Sequence, residues 1–273
     1  MLTVGSLFSG IGGIDLGLES TGGFRTIWFA EIDPYCSRVL AKHWPEVPNY
    51  GDVKNIGADA PAVDLLAAGF PCQPVSLAGK GLAQDDPRWL WPEVARIVGL
   101  LRPPWVLLEN VPGLVRRGLG DVLRDLYLLG YDAEWGQLSA AQVGAPHRRR
   151  RVFLVAYPHG AELRLEPWRG SRTNGQGEAL AGDDGAEESL ANPHGTGWGT
   201  QGLFPSLHPP TSGEGEKCSV GGASESHPGW ATEPDVGRVA YGVPSRVDRL
   251  TALGNAVVPQ CAEVVGRMIL EVT

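Results

Sequence analysis

The sequence lacks long apolar runs, and it is poor in cysteine. No stretch approaches the roughly 18 apolar residues that a membrane span needs. The four cysteines, Cys36, Cys72, Cys218 and Cys261, lie far apart, and no two have the CxxC spacing of a zinc site. The start, MLTVGSLFSG, lacks the basic region and long apolar stretch of a signal peptide. We therefore expect a reduced, cytoplasmic protein with no metal site, no disulfide framework and no membrane contact.

The chain also lacks an excess of basic residues. Its formal net charge is −8 over 273 residues, whereas a generic nucleic-acid binder is usually basic. The acidity is local, because residues 157–245 hold 12 acidic and five basic side chains. The rest of the chain is close to neutral and contains the run HRRRR at 147–151. A nucleic-acid contact, if present, is thus expected outside the acidic segment.

Apolar runs alternate with helical patterns over the first 157 residues. This alternation predicts a mostly parallel α/β sheet. Strands are predicted at 3–8, 24–31, 63–69, 103–110 and 151–157. Helices are predicted at 34–44 and at 121–130, where Gly130 is a candidate C-cap. A further helix is predicted from Asn255 onward, and its apolar residues share one face that should dock on the sheet: Val257, Cys261, Val264, Val265, Met268, Ile269 and Val272.

The segment between these regular parts has a different composition. Residues 157–245 contain 17 glycines and nine prolines and show no apolar periodicity. Such a composition is typical of a loop-rich or partly disordered insertion rather than of a second strong core. We therefore expect a discontinuous main domain, residues 1–157 and 246–273, with residues 158–245 inserted.

Three short motifs indicate a ligand site. The glycine-rich LFSGIGG follows a strand and opens a helix, and Glu31 ends the next strand. A carboxylate there can accept both ribose hydroxyls of an adenosine cofactor. This motif alone does not distinguish a nicotinamide cofactor from S-adenosylmethionine. Cys72, between Pro71 and Pro74, and Glu109, in LLENV, both follow apolar runs, at the edge where open α/β sheets bind ligands. The alternatives are a ligand-free glycine turn, a buried thiol and a solvated or capping acid.

The arginine run APHRRRRVF precedes the last predicted strand. Because neighbours in an extended segment point in opposite directions, Arg149 and Arg151 are expected to share one side, and Arg148 and Arg150 the other. Such a pair could contact an anion or a base. The alternative is a solvated basic turn.

Five motifs together resemble the C5-cytosine DNA methyltransferases. LFSGIGGIDLGLE, GFPCQ, ENV, QVGAPHRRRRVF and LGNAVVPQ occur in that family's order and at about its spacing. The likeness covers residues 1–157 and about 230–273, and it is closest to compact phage or bacterial members. It implies a Rossmann-like S-adenosylmethionine-dependent methyltransferase sheet with helices on both faces. It also implies a small irregular insertion, at 158–245, that recognises the target.

The resemblance implies a role for individual residues. Cys72 would be the nucleophile placed by Pro71, and Glu109 would engage N3 of the cytosine, with Gln73 and Asn110 as supporting neighbours. Arg149 and Arg151 match the two motif arginines, although His147 stands where the family usually has glutamine. The implied cofactor-binding residues are Phe8, Gly10, Gly12, Glu31, Ile32, Asp52 and Asn255.

The implied reaction is methyl transfer from S-adenosylmethionine to C5 of a flipped cytosine, through an adduct of Cys72 with C6. The expected substrate is double-stranded DNA, the protein would be a monomer, and a companion restriction endonuclease is a candidate partner. Phosphate contacts are expected from the arginine run, Lys80, Arg88, Arg116 and Arg117. Three alternatives stay open: a tRNA cytosine-5 methyltransferase, an NAD-dependent oxidoreductase and a catalytically silent binding protein.

Overall fold

A computed structural model describes residues 1–71, 89–161 and 246–273 of the chain. Cys72, Gln73, Lys80, Arg88 and almost all of the predicted insertion therefore lie outside the described residues. The described part is a mixed α/β structure built on one six-stranded sheet.

The chain alternates strands and helices, as predicted. The strands are β1 (Leu2–Leu7), β2 (Phe24–Ala30), β3 (Leu65–Ala68), β4 (Trp105–Asn110), β5 (Tyr131–Ser139) and β6 (Arg150–Pro158). The helices are α1 (Gly13–Ser20), α2 (Pro34–His43), α3 (Trp91–Leu101), α4 (Leu114–Arg117), α5 (Leu119–Leu128), α6 (Arg246–Asn255) and α7 (Pro259–Leu270). Gly130 has φ of 84° just after α5, which fits the helix-ending role expected for it.

The strand order is β2-β1-β3-β4-β6-β5. β1 to β4 pair in parallel, and β6 runs antiparallel to both β4 and β5. The sheet is thus mostly parallel, with one reversed strand. This reversal brings the amino end of β6 to the edge where β1 to β4 end.

Buried side chains cover both faces of the sheet. Residues of α3 and α5, such as Val94 and Val122, pack on one face with Val106 and Leu108 of β4. Residues of α1 and α7 pack on the other face, with Leu107. The C-terminal helix therefore docks on the sheet as its apolar pattern predicts. It begins at Pro259 rather than near Asn255, because α6 ends there and a short extended segment separates the two helices.

Candidate active site

The carboxyl ends of four parallel strands and the amino end of β6 form the edge that carries the candidate site. In the pairing of β4 with β6, Glu109 lies opposite Phe153 and Asn110 lies opposite Val152. Arg151 stands two residues before Phe153, so it projects from the same face as Glu109. The antiparallel register alone thus brings an acid and an arginine, far apart in sequence, to one point.

The two side chains form a buried ion pair. Arg151 Nε lies 3.0 Å from Glu109 Oε1, and the side chains are 16% and 9% exposed. Burial raises the pKa of the Glu109 carboxyl to about 7, and the positive charges of Arg151 and Arg149 oppose that rise. Near neutral pH, Glu109 therefore exists in both its charged and its neutral form. The neutral form can donate a hydrogen bond to a ring nitrogen, and the charged form can only accept one.

Arg149 does not share the arrangement of Arg151. Its φ of 31° lies in the left-handed region, so the extended alternation that predicts a common side does not hold at this residue. Its Nε donates to the Ala256 carbonyl at 3.1 Å, and its Nη2 donates to the Gly254 carbonyl at 2.7 Å. The charge of Arg149 still acts on Glu109, but its hydrogen bonds reach the carboxyl end of α6 and the residue that follows this helix.

Asn110 connects the ends of β3 and β4. Its side chain is 2% exposed, and its Nδ2 donates to the Phe70 carbonyl at 3.1 Å. Its Oδ1 accepts from the backbone N–H of Val111 at 2.9 Å. Asn110 therefore fixes the backbone immediately before Pro71, the last described residue of that loop. Cys72 follows directly, so its attachment point lies at this edge, although its own placement is outside the described residues.

The end of β3 passes very close to Glu109. A Cβ added at Gly69 would lie 3.4 Å from Glu109 Oε2 and 4.0 Å from the Phe8 carbonyl. The acid and the glycine-rich loop after β1 thus meet across Gly69. A substrate at Glu109 and a cofactor at the loop would lie side by side.

Glu31 is the centre of the candidate cofactor pocket. Its Oε2 accepts from the backbone N–H of Gly10 and its Oε1 from that of Asp33, each at 2.7 Å. Asn49 holds the backbone of Glu31, accepting from its N–H at 2.9 Å and donating to its carbonyl at 3.0 Å. Among the described residues each carboxylate oxygen accepts one of these bonds, so the acid is oriented and can still accept ribose hydroxyls.

The other predicted cofactor residues lie on the segments that follow β1, β2 and α2, except Asn255. Phe8 is half-buried with φ of 52°, and Ile32 is 70% exposed, so an apolar surface is open to a flat ring. Asp52 Oδ1 accepts from the backbone N–H of Lys54 at 3.0 Å. Gly12 has φ of 81°, and a Cβ there would meet Trp44 at 2.6 Å. These residues fit an adenosine group. Asn255 is an exposed residue at the end of α6, on the segment that Arg149 holds.

Two residues near the pocket were not singled out by sequence reasoning. Asn49 anchors Glu31, and Asp15, in the first turn of α1, is fully buried. Asp15 accepts from the hydroxyls of Ser6 at 3.0 Å and of Thr26 at 3.2 Å, which ties α1 to β1 and β2. Burial raises the pKa of Asp15 to about 7. An acid on the apolar face of an amphipathic helix was the signal available in the sequence.

The described residues contain neither a metal-binding cluster nor a membrane-spanning helix. No group of three or more His, Cys, Asp or Glu side chains there could hold a metal ion. Within the same ranges, no helix has the length and apolar character to cross a bilayer.

The sheet, its helices on both faces and the glycine-rich loop after β1 define a Rossmann-like methyltransferase fold. A solved structure of a DNA modification methyltransferase from an E. coli prophage is similar, with a TM-score of 0.51 and 26% identity over 61% of this chain and 49% of that chain. The Dnmt2 methyltransferase of S. pombe shares the fold, with a TM-score of 0.50 and 24% identity over 58% of this chain and 51% of that chain.

The sequence model of the C-5 cytosine-specific DNA methylase family matches residues 2–189, and the chain belongs to this family. The family depends on S-adenosylmethionine, which confirms the expected cofactor. The type II methyltransferase M2.BsuMI of Bacillus subtilis is 40% identical over 57% of this chain and 42% of its own length. M.NgoBI of Neisseria gonorrhoeae is 40% identical over 55% of this chain and 49% of its own length. The chain thus spans less than half the length of these relatives.

Proposed function

We propose that this chain is a DNA (cytosine-5) methyltransferase that acts through a covalent adduct of Cys72 with C6 of a flipped cytosine. The observation that carries this proposal is the buried Glu109–Arg151 pair. Glu109 lies on β4, and the neighbouring strand β3 leads into the loop before Cys72. Family membership supports the proposal, and the NAD-dependent and silent alternatives leave the pair without a role.

The chemistry requires the thiolate and the acid to act on one ring. Addition of the Cys72 thiolate to C6 pushes electrons toward N3 and C5. Neutral Glu109 would stabilise the developing charge on N3 by hydrogen bonding or proton donation, while Arg151 holds the carboxyl in place and faces the exocyclic oxygen. C5 then carries enough electron density to attack an electrophile.

S-adenosylmethionine supplies the methyl group as that electrophile. Glu31 and the backbone of Gly10 would orient the cofactor's ribose, and Phe8, Ile32 and Asp52 would contact its adenine. Loss of the C5 proton to a base and expulsion of the thiolate then restore the aromatic ring and free Cys72. Extrusion of the target base costs a few kcal/mol, which contacts of the site with the flipped base must offset.

The finer assignments belong to the same proposal. Residues 1–157 and 246–273 form the catalytic and cofactor-binding domain, supported by the packing of α7 on α1 and on the sheet. Residues 158–245 provide target recognition. Double-stranded DNA is the substrate, a companion restriction endonuclease is the candidate partner, and we expect a cytoplasmic monomer.

The deciding experiment uses a host that expresses the protein. Bisulfite sequencing should show 5-methylcytosine at a defined sequence with the wild type and none with Cys72→Ala. The matched control is Cys36→Ala, because Cys36 is a buried thiol of α2. Its loss should leave the mark unchanged.

A purified sample separates the substrates. DNA with a fluorinated target cytosine should form a covalent adduct with the wild type and not with Cys72→Ala, and tRNA should accept no methyl group. Modification that persists without the Cys72 thiol, or methylation of tRNA alone, would refute the proposal.

The DNA contact has its own test. Arg116 and Arg117 lie on α4, directly after β4, at the edge that carries Glu109. Charge reversal at both should lower DNA affinity and flatten its dependence on salt, because each lost phosphate contact reduces the slope by about one. A slope that does not change would show that α4 does not contact the backbone.

A further inference from the structure

Residues 254–259, which comprise the end of α6, the first residue of α7 and the three residues between the helices, are held from two sides, and we call them the junction. On one side, Arg149 donates through Nε and Nη2 to the carbonyls of Gly254 and Ala256. These carbonyls lie at the carboxyl end of α6, where the helix dipole favours a cation. The guanidinium is thus committed to backbone acceptors on a distant part of the chain.

On the other side, the junction packs directly on α1. A Cβ at Gly13 would lie 2.7 Å from the Val257 carbonyl, and one at Gly17 would lie 2.1 Å from the Pro259 carbonyl. Distances this short show that the two backbones approach closely and that both glycines are required for it. Gly13 begins α1, so the junction touches the base of the glycine-rich loop.

Arg149 makes this contact from an unusual backbone conformation. Its φ of 31° lies in a region that residues other than glycine rarely adopt. Such conformations persist where the surroundings enforce them, often at functional sites. Arg149 also stands two residues before Arg151, the partner of Glu109. One short segment therefore connects the candidate base site, the junction and the cofactor loop.

We propose that Arg149 is a positioning residue that clamps the junction against α1 and thereby sets the glycine-rich loop, rather than a residue that acts on the base. The proposal rests on the proposed function, because it treats that loop as the cofactor site. Residues 158–245 lead directly into α6, which ends in the junction. The junction would therefore couple that part of the chain to the cofactor loop.

Two perturbations from opposite sides of the junction test the proposal. Arg149→Gln removes the clamp, and Gly17→Ala pushes a methyl group into the Pro259 carbonyl. Gly120→Ala is the matched control, because Gly120 lies in α5 and an added Cβ there meets nothing within 4 Å. Arg151→Gln removes a cation from the same edge without touching the junction. Arg149→Lys keeps the charge but loses the forked geometry.

The first readout needs no ligand. Hydrogen exchange of the amides of residues 10–16 should speed up by about tenfold or more in Arg149→Gln and Gly17→Ala, with a smaller increase in Arg149→Lys. It should stay within about twofold of wild type in Gly120→Ala and Arg151→Gln. Exchange that is unchanged in Arg149→Gln would overturn the clamp.

The second readout is calorimetric binding of S-adenosylmethionine without DNA. Its Kd should rise by about tenfold in Arg149→Gln and Gly17→Ala, because both changes release the loop that would hold the cofactor. Normal binding by Arg149→Gln, with slower adduct formation on fluorinated DNA, would instead assign Arg149 to the base. Should the wild type itself bind no S-adenosylmethionine, the proposed function fails, while the exchange measurement still decides whether the clamp exists.

Discussion

Glu109 should make the protein less stable as the pH rises toward neutrality. The carboxyl has a pKa of about 7 in the folded protein, because burial disfavours its charge more than the arginines favour it. In the unfolded chain the pKa returns to about 4.3. The folded state therefore binds more protons between these values, so its free energy of unfolding falls as the pH rises through that range. Above the folded pKa the loss is complete.

The size of this effect follows from the two pKa values. A difference of between two and three units corresponds to roughly 3 kcal/mol at about 1.4 kcal/mol per unit. The perturbation is Glu109→Gln, which keeps the shape of the side chain and cannot titrate. Chemical denaturation of both proteins from about pH 5 to about pH 8.5 gives their difference in unfolding free energy.

As the pH rises, the unfolding free energy of Glu109→Gln should increase by roughly 3 kcal/mol relative to that of the wild type. A flat difference would mean that Glu109 titrates with an ordinary pKa, and a movement in the opposite direction would mean that its charge is favoured by folding. Either result would refute the reasoning that a neutral carboxyl is available to N3 of the base. If the neutral form is the competent one, adduct formation by the wild type should also decline above about pH 7.

Three further perturbations have defined outcomes. Asp15→Asn should make the unfolding free energy fall less steeply as the pH rises, because burial raises the pKa of Asp15 to about 7. The same denaturation series measures this change. Asn110→Ala should leave the Phe70 carbonyl without its donor, costing about 1–3 kcal/mol of unfolding free energy and slowing adduct formation; Asn110→Asp, which cannot donate when charged, should not restore either value. Gly5→Ala places a Cβ 2.1 Å from the buried ring of Trp28 and should lower the unfolding free energy by about 1–3 kcal/mol, with a fall in Tm as the check.

The sequence predicted the parallel strands well because each is a continuous apolar run. β1, β3 and β4 are buried on both faces, and such runs differ clearly from the amphipathic helices between them. The edge strand β5 was not predicted, because its sequence YDAEWGQLS is mostly polar and its middle residues are only partly buried. Helices α3 and α6 were also not predicted, and α7 was placed about four residues too early.

Pairing across the sheet accounts for the remaining differences in the site. The acid, the arginines and the cofactor carboxylate were found from local motifs, but their partners were not. The contact of Glu109 with Arg151 depends on the antiparallel register of β6, which no local pattern encodes. The left-handed backbone of Arg149 and its reach to Gly254 depend on a segment more than a hundred residues later in the chain. Only the folded backbone brings these groups together.

The run of four arginines at the start of β6, residues 148–151, has a consequence for tolerance to deletion. The next five residues, 152–156, are buried and apolar on both faces of the sheet, so they only weakly oppose a slip of the strand by one position. A slip of β6 by one position, away from the edge that carries Glu109, would carry Arg150 into the position of Arg151. Deletion of one arginine from the run would therefore leave a cation beside Glu109, whereas substitution of Arg151 alone would remove it.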